Sequence, residues 1–357
     1  MITMNKKATV FVGLSGGVDS SVSALRLIAD GYNVVGVFIK VWHPDFLVCN
    51  WEQERLDAMR VAAKLGIPFL TCDATDAYRD AVATYFIESY KIGRTPNPDV
   101  MCNKEVKFGV FLNFALKHGA DFIATGHYAQ NKFSQGKFIL SRGIDNNKDQ
   151  SYFLWTLTQN QLSHILFPVG NSTKDLIREE AKQADLITAT KKDSQGVCFL
   201  GHIDISDFLS HYLDLKPGLV KDEAGKVIGS HQGVLVYTIG QRHGFTLHSL
   251  NNNRLPYYVV SKNLLTNELV VSTTKPKLNP KNLLTLTEVQ LNATLKIGEL
   301  ISAQTRYRQT PFSVTVSAIT KQSSLELLIN ESTEEPAIGQ SCALYLGDIC
   351  LGGGIIS

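Results

Sequence analysis

Residues 15–20, Ser-Gly-Gly-Val-Asp-Ser, lie between an apolar run at 8–14 and a helical pattern that starts at Val18. A strand, a tight glycine turn and a helix N-terminus in that order commit the start of the chain to an α/β layout. Small glycines let successive backbone N–H groups converge on an anion, and the helix dipole adds partial positive charge. Ser15 and Ser20 supply hydroxyl donors, so the cradle can bind pyrophosphate without a lysine. The pattern is neither GxxxxGK(S/T) nor GxGxxG, which excludes a Walker A loop and a dinucleotide-type turn. A bare Ser-Gly-Gly reads as an ordinary turn, but the whole hexapeptide in this context reads as a nucleotide site.

The alternation continues to about residue 130. Strand-like runs at 33–39, 67–72 and 121–125 alternate with helical patterns at 52–65, 76–92 and 106–117. Continuous apolar strands between helices imply a parallel sheet covered on both faces. Ligands bind such sheets beyond the carboxyl ends of the strands, where the Ser15–Ser20 turn lies. A hairpin about Gln135-Gly136 and helices at 158–165 and 174–184 follow. Past residue 215 the chain turns β-rich, and short strands at regular spacing over 284–356 suggest a small barrel. The expected domains are 1–213, 214–278 and 279–357, the second boundary falling in TKPKLNPKN at 274–282.

At 357 residues the chain exceeds one ordinary core, with 44% apolar and 19% charged residues. No apolar stretch approaches the ~20 residues that span a bilayer. Six cysteines, at 49, 72, 102, 198, 342 and 350, are too scattered for a secreted disulfide framework, and none forms CxxC. A reduced, cytoplasmic setting without a membrane partner is the expectation. With a net charge of only +2, a nucleic-acid surface must be a local patch.

Two further segments carry chemistry. In residues 94–103, RTPNPDVMCN, two prolines stiffen what reads as an exposed loop presenting Asp99 and Cys102 together. Cys102 alone reads more readily as a small buried hydrophobe. In residues 191–199, KKDSQGVCF, Cys198 follows a polar turn and a cationic pair that favours thiolate; the alternative is a buried strand at 197–200.

Together these segments resemble the bacterial tRNA-specific 2-thiouridylases, a branch of the PP-loop ATP pyrophosphatases. The matching motifs are GLSGGVDSSV (13–22), GRTPNPDVMCNKEVKFG (93–109), ATGHYA (124–129), KDQSYFLW (148–155) and DSQGVCF (193–199). IGQRHG (239–244), TRYRQ (305–309) and CLGGGII (350–356) complete them in family order. The resemblance implies a PP-loop domain, a small β-rich central domain and a C-terminal β-barrel. It implies ATP over Gly13, Leu14, Ser15, Gly16, Gly17, Val18, Asp19 and Ser20, with Ile39 and Gly126 near the adenine and Asp19 toward Mg2+. It places Asn97, Pro98 and Asp99 at the target base of tRNA, and Lys148, Asp149, Gln150, Arg306 and Tyr307 on the anticodon arm. Cys198 would carry a persulfide from a donor protein, with Cys102 as partner thiol and Asp99 as acid/base. Cys102 would release sulfide or form a Cys102–Cys198 disulfide; an iron–sulfur cluster on Asp99, Cys102 and Cys198 is the open alternative. No metal beyond Mg-ATP is otherwise implied. Two stretches depart from the family pattern: residues 40–51, which add Cys49, and residues 243–248, which lack a second glycine. A PP-loop ligase or amidotransferase acting on a small molecule would have no use for the two cysteines. A non-catalytic tRNA-binding protein is the alternative from another class.

Overall fold

The computed structural model describes residues 7–47, 51–192, 204–248, 255–320 and 324–357. The chain opens with β1 (Thr9–Gly13), α1 (Val18–Ala29), β2 (Asn33–Lys40), α2 (Trp51–Leu65) and β3 (Phe69–Asp73). Later come β4 (Phe122–Ala124), a hairpin of β5 (Ala129–Ser134) and β6 (Lys137–Arg142), and β7 (Ile165–Leu166). The strands β3-β2-β1-β4-β7 form a parallel sheet. Val10 and Val12 point to α1 and α2, while Phe11 and Val37 face a helical run over 98–117. Apolar burial on both faces is what the unbroken strand runs require.

That helical run corrects one expectation. Residues 94–103 are not an exposed loop: a helix begins at Pro98 and continues through a π-helical stretch, Cys102–Val110, to Lys117. Proline suits the first helical position because its missing N–H would have no partner there. Asn97 caps the turn, its Oδ1 accepting Val100 N–H at 3.2 Å. Consequently Thr95, Asn97, Val100 and Cys102 are buried. The helix expected at 158–165 is also shorter, Gln159–Leu162, because the chain turns to become β7.

The central part holds a five-stranded sheet in which Gly218–Lys221 lies parallel to Glu268–Ser272. Six strands then close a barrel in the order Leu283–Leu291, Leu325–Ile329, Phe312–Ile319, Leu300–Gln304, Ser341–Leu346 and Ile349–Ile356. The first and last pair to seal it. Gly352 and Gly353 make that closure possible, since a Cβ would fall 2.0 Å from Gln290 O and 2.3 Å from Cys342 O respectively. The β5–β6 hairpin of the first domain joins the barrel sheet through Ser141 and Ile349. The divergent stretch after β2 has a packing role: Phe46 stacks on His211 with centroids 3.7 Å apart, beside Phe208.

Candidate active site

The Ser15–Ser20 turn leaves β1 and enters α1 as read from sequence. Gly17 is the N-cap of α1, and no side chain caps that end. The first N–H groups of α1 therefore lack the capping oxygen usual there, and a phosphate would supply it. Ser20 Oγ donates to Gly17 O at 3.1 Å and lies 3.3 Å from Ser15 Oγ, so both hydroxyls line the turn. Gly16 has φ +69°, and a Cβ there would lie 2.8 Å from Glu54 O on α2. Only glycine satisfies both limits. Gly126, after β4, closes the other side: its Cβ would stand 2.8 Å from Ser20 N. Ile39 Cδ1 reaches within 3.6 Å of a Cβ at Gly13, which puts it beside the same strand ends.

Asp19 has partners that sequence reading missed. Lys174 Nζ donates to Asp19 Oδ1 at 2.7 Å and Oδ2 at 2.8 Å, and Tyr128 Oη donates to Oδ1 at 2.7 Å. Lys174 is buried although it opens the helix Lys174–Gln183. A cation thus reaches the mouth of the cradle from a distant element, supplying what the loop lacks. Tyr128 lay within the ATGHYA motif, but no local signal distinguishes Lys174 from a surface lysine.

Asp99 and Cys102 stand one helical turn apart, and Cys102 N–H donates to Asp99 O. Burial raises the Asp99 carboxyl above its ordinary value, and the nearby Lys107 ammonium partly opposes this. Lys107 also bears on His127, whose imidazole burial and that charge hold well below the usual range. His127 is thus a neutral group, fixed by Thr125 Oγ1 at 2.7 Å from its Nδ1.

Cys198 lies outside the described residues, as does Cys49. The flanks of the segment holding Cys198 are described. Before it, Lys191 Nζ pairs with Asp57 at 2.7 Å, and the Cβ of Asp57 is 3.0 Å from a Cβ built on Gly16. After it, Phe208 and Leu209 join the apolar cluster that contains Cys102. One flank is therefore anchored beside the cradle, and the other joins the same extended apolar cluster as Cys102. Among the described residues, no group of three or more His, Cys, Asp or Glu could hold a metal ion.

The segments holding the residues assigned to the anticodon arm are tied together, but Asp149 does not face outward as a tRNA contact would require. Arg308 Nε donates to Asn147 O at 3.1 Å, joining the 305–309 turn to the 145–150 loop. Asp149 is buried and its carboxylate is internally engaged, by Arg142 at 2.8 Å and by Gly143 N and Ser151 N. Gln150 Oε1 accepts Tyr128 N–H at 3.0 Å. Arg306 pairs with Glu334 at 3.1 Å and donates to Ile239 O at 3.3 Å, linking barrel to central domain. Tyr307 packs on Phe153, ring centroids 4.8 Å apart. Among the described residues, no helix is long and apolar enough to cross a membrane.

A parallel sheet with an uncapped glycine turn at its carboxyl edge, followed by two β domains, defines a PP-loop-type enzyme fold. Family models match in series: the tRNA methyl transferase HUP domain over 8–202, its PRC-barrel domain over 206–273, and the aminomethyltransferase beta-barrel domain over 281–356. The tRNA-specific 2-thiouridylase of Listeria monocytogenes serotype 4b is 44% identical over 100% of this chain and 96% of its own. That of Colwellia psychrerythraea is 45% identical over 98% of this chain and 96% of its own. The 4-thiouridine synthetase solved with RNA and bound ATP is far more distant: 18% identity and a TM-score of 0.36, covering 57% of this chain and 50% of that one. The chain belongs to the tRNA-specific 2-thiouridylase family, and is thereby an enzyme of the sulfurtransferase class.

Proposed function

We propose that this enzyme converts uridine 34 of Glu-, Gln- and Lys-type tRNAs to 2-thiouridine, using ATP to activate the C2 oxygen and a cysteine persulfide to replace it. One observation carries the reading: the bare N-terminus of α1, with Asp19 and Lys174 at its mouth, lies where the flank of the Cys198 segment is anchored. ATP fits there because backbone N–H groups and a lysine meet an anion, and the carboxylate is a hard oxygen donor for Mg2+. The ion would neutralise the pyrophosphate. Ile39 and Gly126 bound the adenine side, and the domains are taken as 1–213, 214–278 and 279–357.

Uridine O2 attacks the α phosphate, pyrophosphate leaves, and the poor leaving oxygen becomes AMP. The uridine must be flipped from its stack to reach Asn97, Pro98 and Asp99. The terminal persulfide sulfur on Cys198 attacks C2 and AMP departs. The Cys102 sulfur then attacks the Cys198 sulfur, leaving the electron pair on the thiouridine and forming a disulfide that an external thiol must reduce. Asp99, one turn from Cys102, accepts and returns the proton. The sulfur reaches Cys198 from a donor protein in the cytoplasm.

The test follows AMP and labelled sulfur in parallel. Asp19→Ala is expected to abolish tRNA-dependent AMP formation. Cys198→Ser is expected to keep AMP formation and lose sulfur incorporation. Normal thiolation by Cys198→Ser would overturn the persulfide route.

A further inference from the structure

The loop that leads into Asn97 and Asp99 is held from outside its own domain. Pro96 and Pro98 have no N–H, so this stretch has fewer donors with which to close local backbone bonds. The carbonyls of Thr95 and Pro96 and the amide of Thr95 find partners in the barrel instead. Gln340 Nε2 donates to Thr95 O at 3.2 Å and to Pro96 O at 3.0 Å. Thr95 N–H donates to Ile338 O at 2.9 Å. Gly339, at φ +92°, lets the two chains approach: a Cβ there would lie 2.9 Å from Arg94 Cβ and 3.0 Å from Thr95 O. The 338–340 turn is itself nailed to the end of the last barrel strand, through Gly339 N–H to Ile356 O and Ile356 N–H to Gln340 O. Next along the loop, Asn97 Nδ2 donates to Tyr152 Oη, which lies 3.1 Å from both Thr305 O and Ser341 O. Thr95 Oγ1 also lies 3.0 Å from Thr238 Oγ1 of the central domain.

We propose that Gln340 is a positioning residue for the thiolation reaction, the barrel fixing through it the loop that places Asn97 and Asp99 against the flipped uridine. Gln340 lies more than 240 residues from that loop in sequence and touches it by two donated bonds. One bond ends on the carbonyl before Pro96 and the other on that of Pro96 itself, so Gln340→Ala takes the amide from both acceptors at once. The 305–309 turn, which shares the Tyr152 hydroxyl with the loop through Thr305, then ties the tRNA-facing edge of the barrel to the same stretch. The inference rests on the reading of Asp99 above, and the experiment separates the two.

Gln340→Ala, and the near-isosteric Gln340→Glu that cannot donate to a carbonyl when ionised, are compared with the unaltered enzyme and with Asp99→Asn. Two measurements are made on full-length protein: amide hydrogen exchange, and single-turnover thiolation as a function of pH and ATP. In both Gln340 variants, amides 97–103 are expected to exchange at least about 10-fold faster, with amides of the Ser341–Leu346 strand and α1 unchanged. Thiolation is expected to slow by about 10- to 100-fold, since small misplacements of reacting groups carry that penalty. The apparent KM for ATP should move less than about twofold. Unchanged exchange at 97–103, unchanged rates, or loosening of the barrel strand to the same degree as the loop would each overturn the proposal. Asp99→Asn tests the other reading: full activity with an unaltered acid limb removes Asp99 from the chemistry, whatever Gln340 does to the loop.

Discussion

At the scale of single residues, the ion pair of Asp19 and Lys174 changes what a substitution at Asp19 does. From sequence alone, Asp19→Ala removes chemistry and spares the fold. In the structure it also takes the paired carboxylate from a buried ammonium, and breaking such a pair costs about 2 kcal/mol even after allowing for the partial exposure of Asp19. Asp19→Ala should therefore lower the melting temperature, and Asp19→Ala with Lys174→Met should recover part of the loss; an unshifted melting curve for the single variant would contradict the pairing. Asp99 gives a pH expectation. Burial raises its pKa above 3.8, so the ionised base is lost as pH falls through a window above the ordinary aspartate range. Lys107 opposes that rise, so Lys107→Met should move the acid limb of thiolation to higher pH; a limb that stays or moves lower would disprove the coupling. The glycines and serines of the turn were legible because their spacing sets the backbone path from strand to helix. Lys174 and Gln340 were not, because each meets its partner across the fold and reads locally like any polar side chain that faces water.

At the scale of elements, the Ser15–Ser20 turn followed directly from an apolar run giving way to helical periodicity, and the strand and helix stand where that switch put them. In the 94–103 segment the paired prolines read as loop signals, whereas the structure makes Pro98 the start of a helix. Proline at a first helical position with an asparagine cap before it is a start signal instead, and the apolar face at Val100, Phe108 and Phe111 agrees with that. The close approach of Gly126, just after β4, to the start of α1 offers a direct check. Gly126→Ala puts a methyl 2.8 Å from Ser20 N and 2.9 Å from Asp19 C, against backbone that cannot yield cheaply. ATP affinity is expected to fall at least about tenfold, with overpacking costing about 1–3 kcal/mol of stability. Titration with ATP and a melting curve read both, and wild-type affinity would show that Gly126 does not shape the cradle.

At the scale of the whole molecule, three units were legible from composition and turn spacing, but their ties were not. The β5–β6 hairpin extends the barrel sheet, and Arg306 spans from Glu334 to a central-domain carbonyl. Such contacts join residues far apart in sequence and leave no periodic trace. If phosphates of the anticodon arm recruit Arg306, they compete with Glu334 for it. Arg306→Ala should weaken tRNA binding and reduce its salt dependence by about one counterion, leaving ATP affinity unchanged. An identical titration across salt concentrations would remove Arg306 from the interface. The most direct test of the proposed reaction is mass spectrometry of the nucleosides of a Glu-, Gln- or Lys-type tRNA after incubation with enzyme, ATP, Mg2+ and a sulfur source. The expected result is one uridine, at the wobble position, with oxygen exchanged for sulfur only when ATP and an intact Asp19 are both present. Unmodified tRNA, or thiolation that proceeds equally well without ATP, would contradict it.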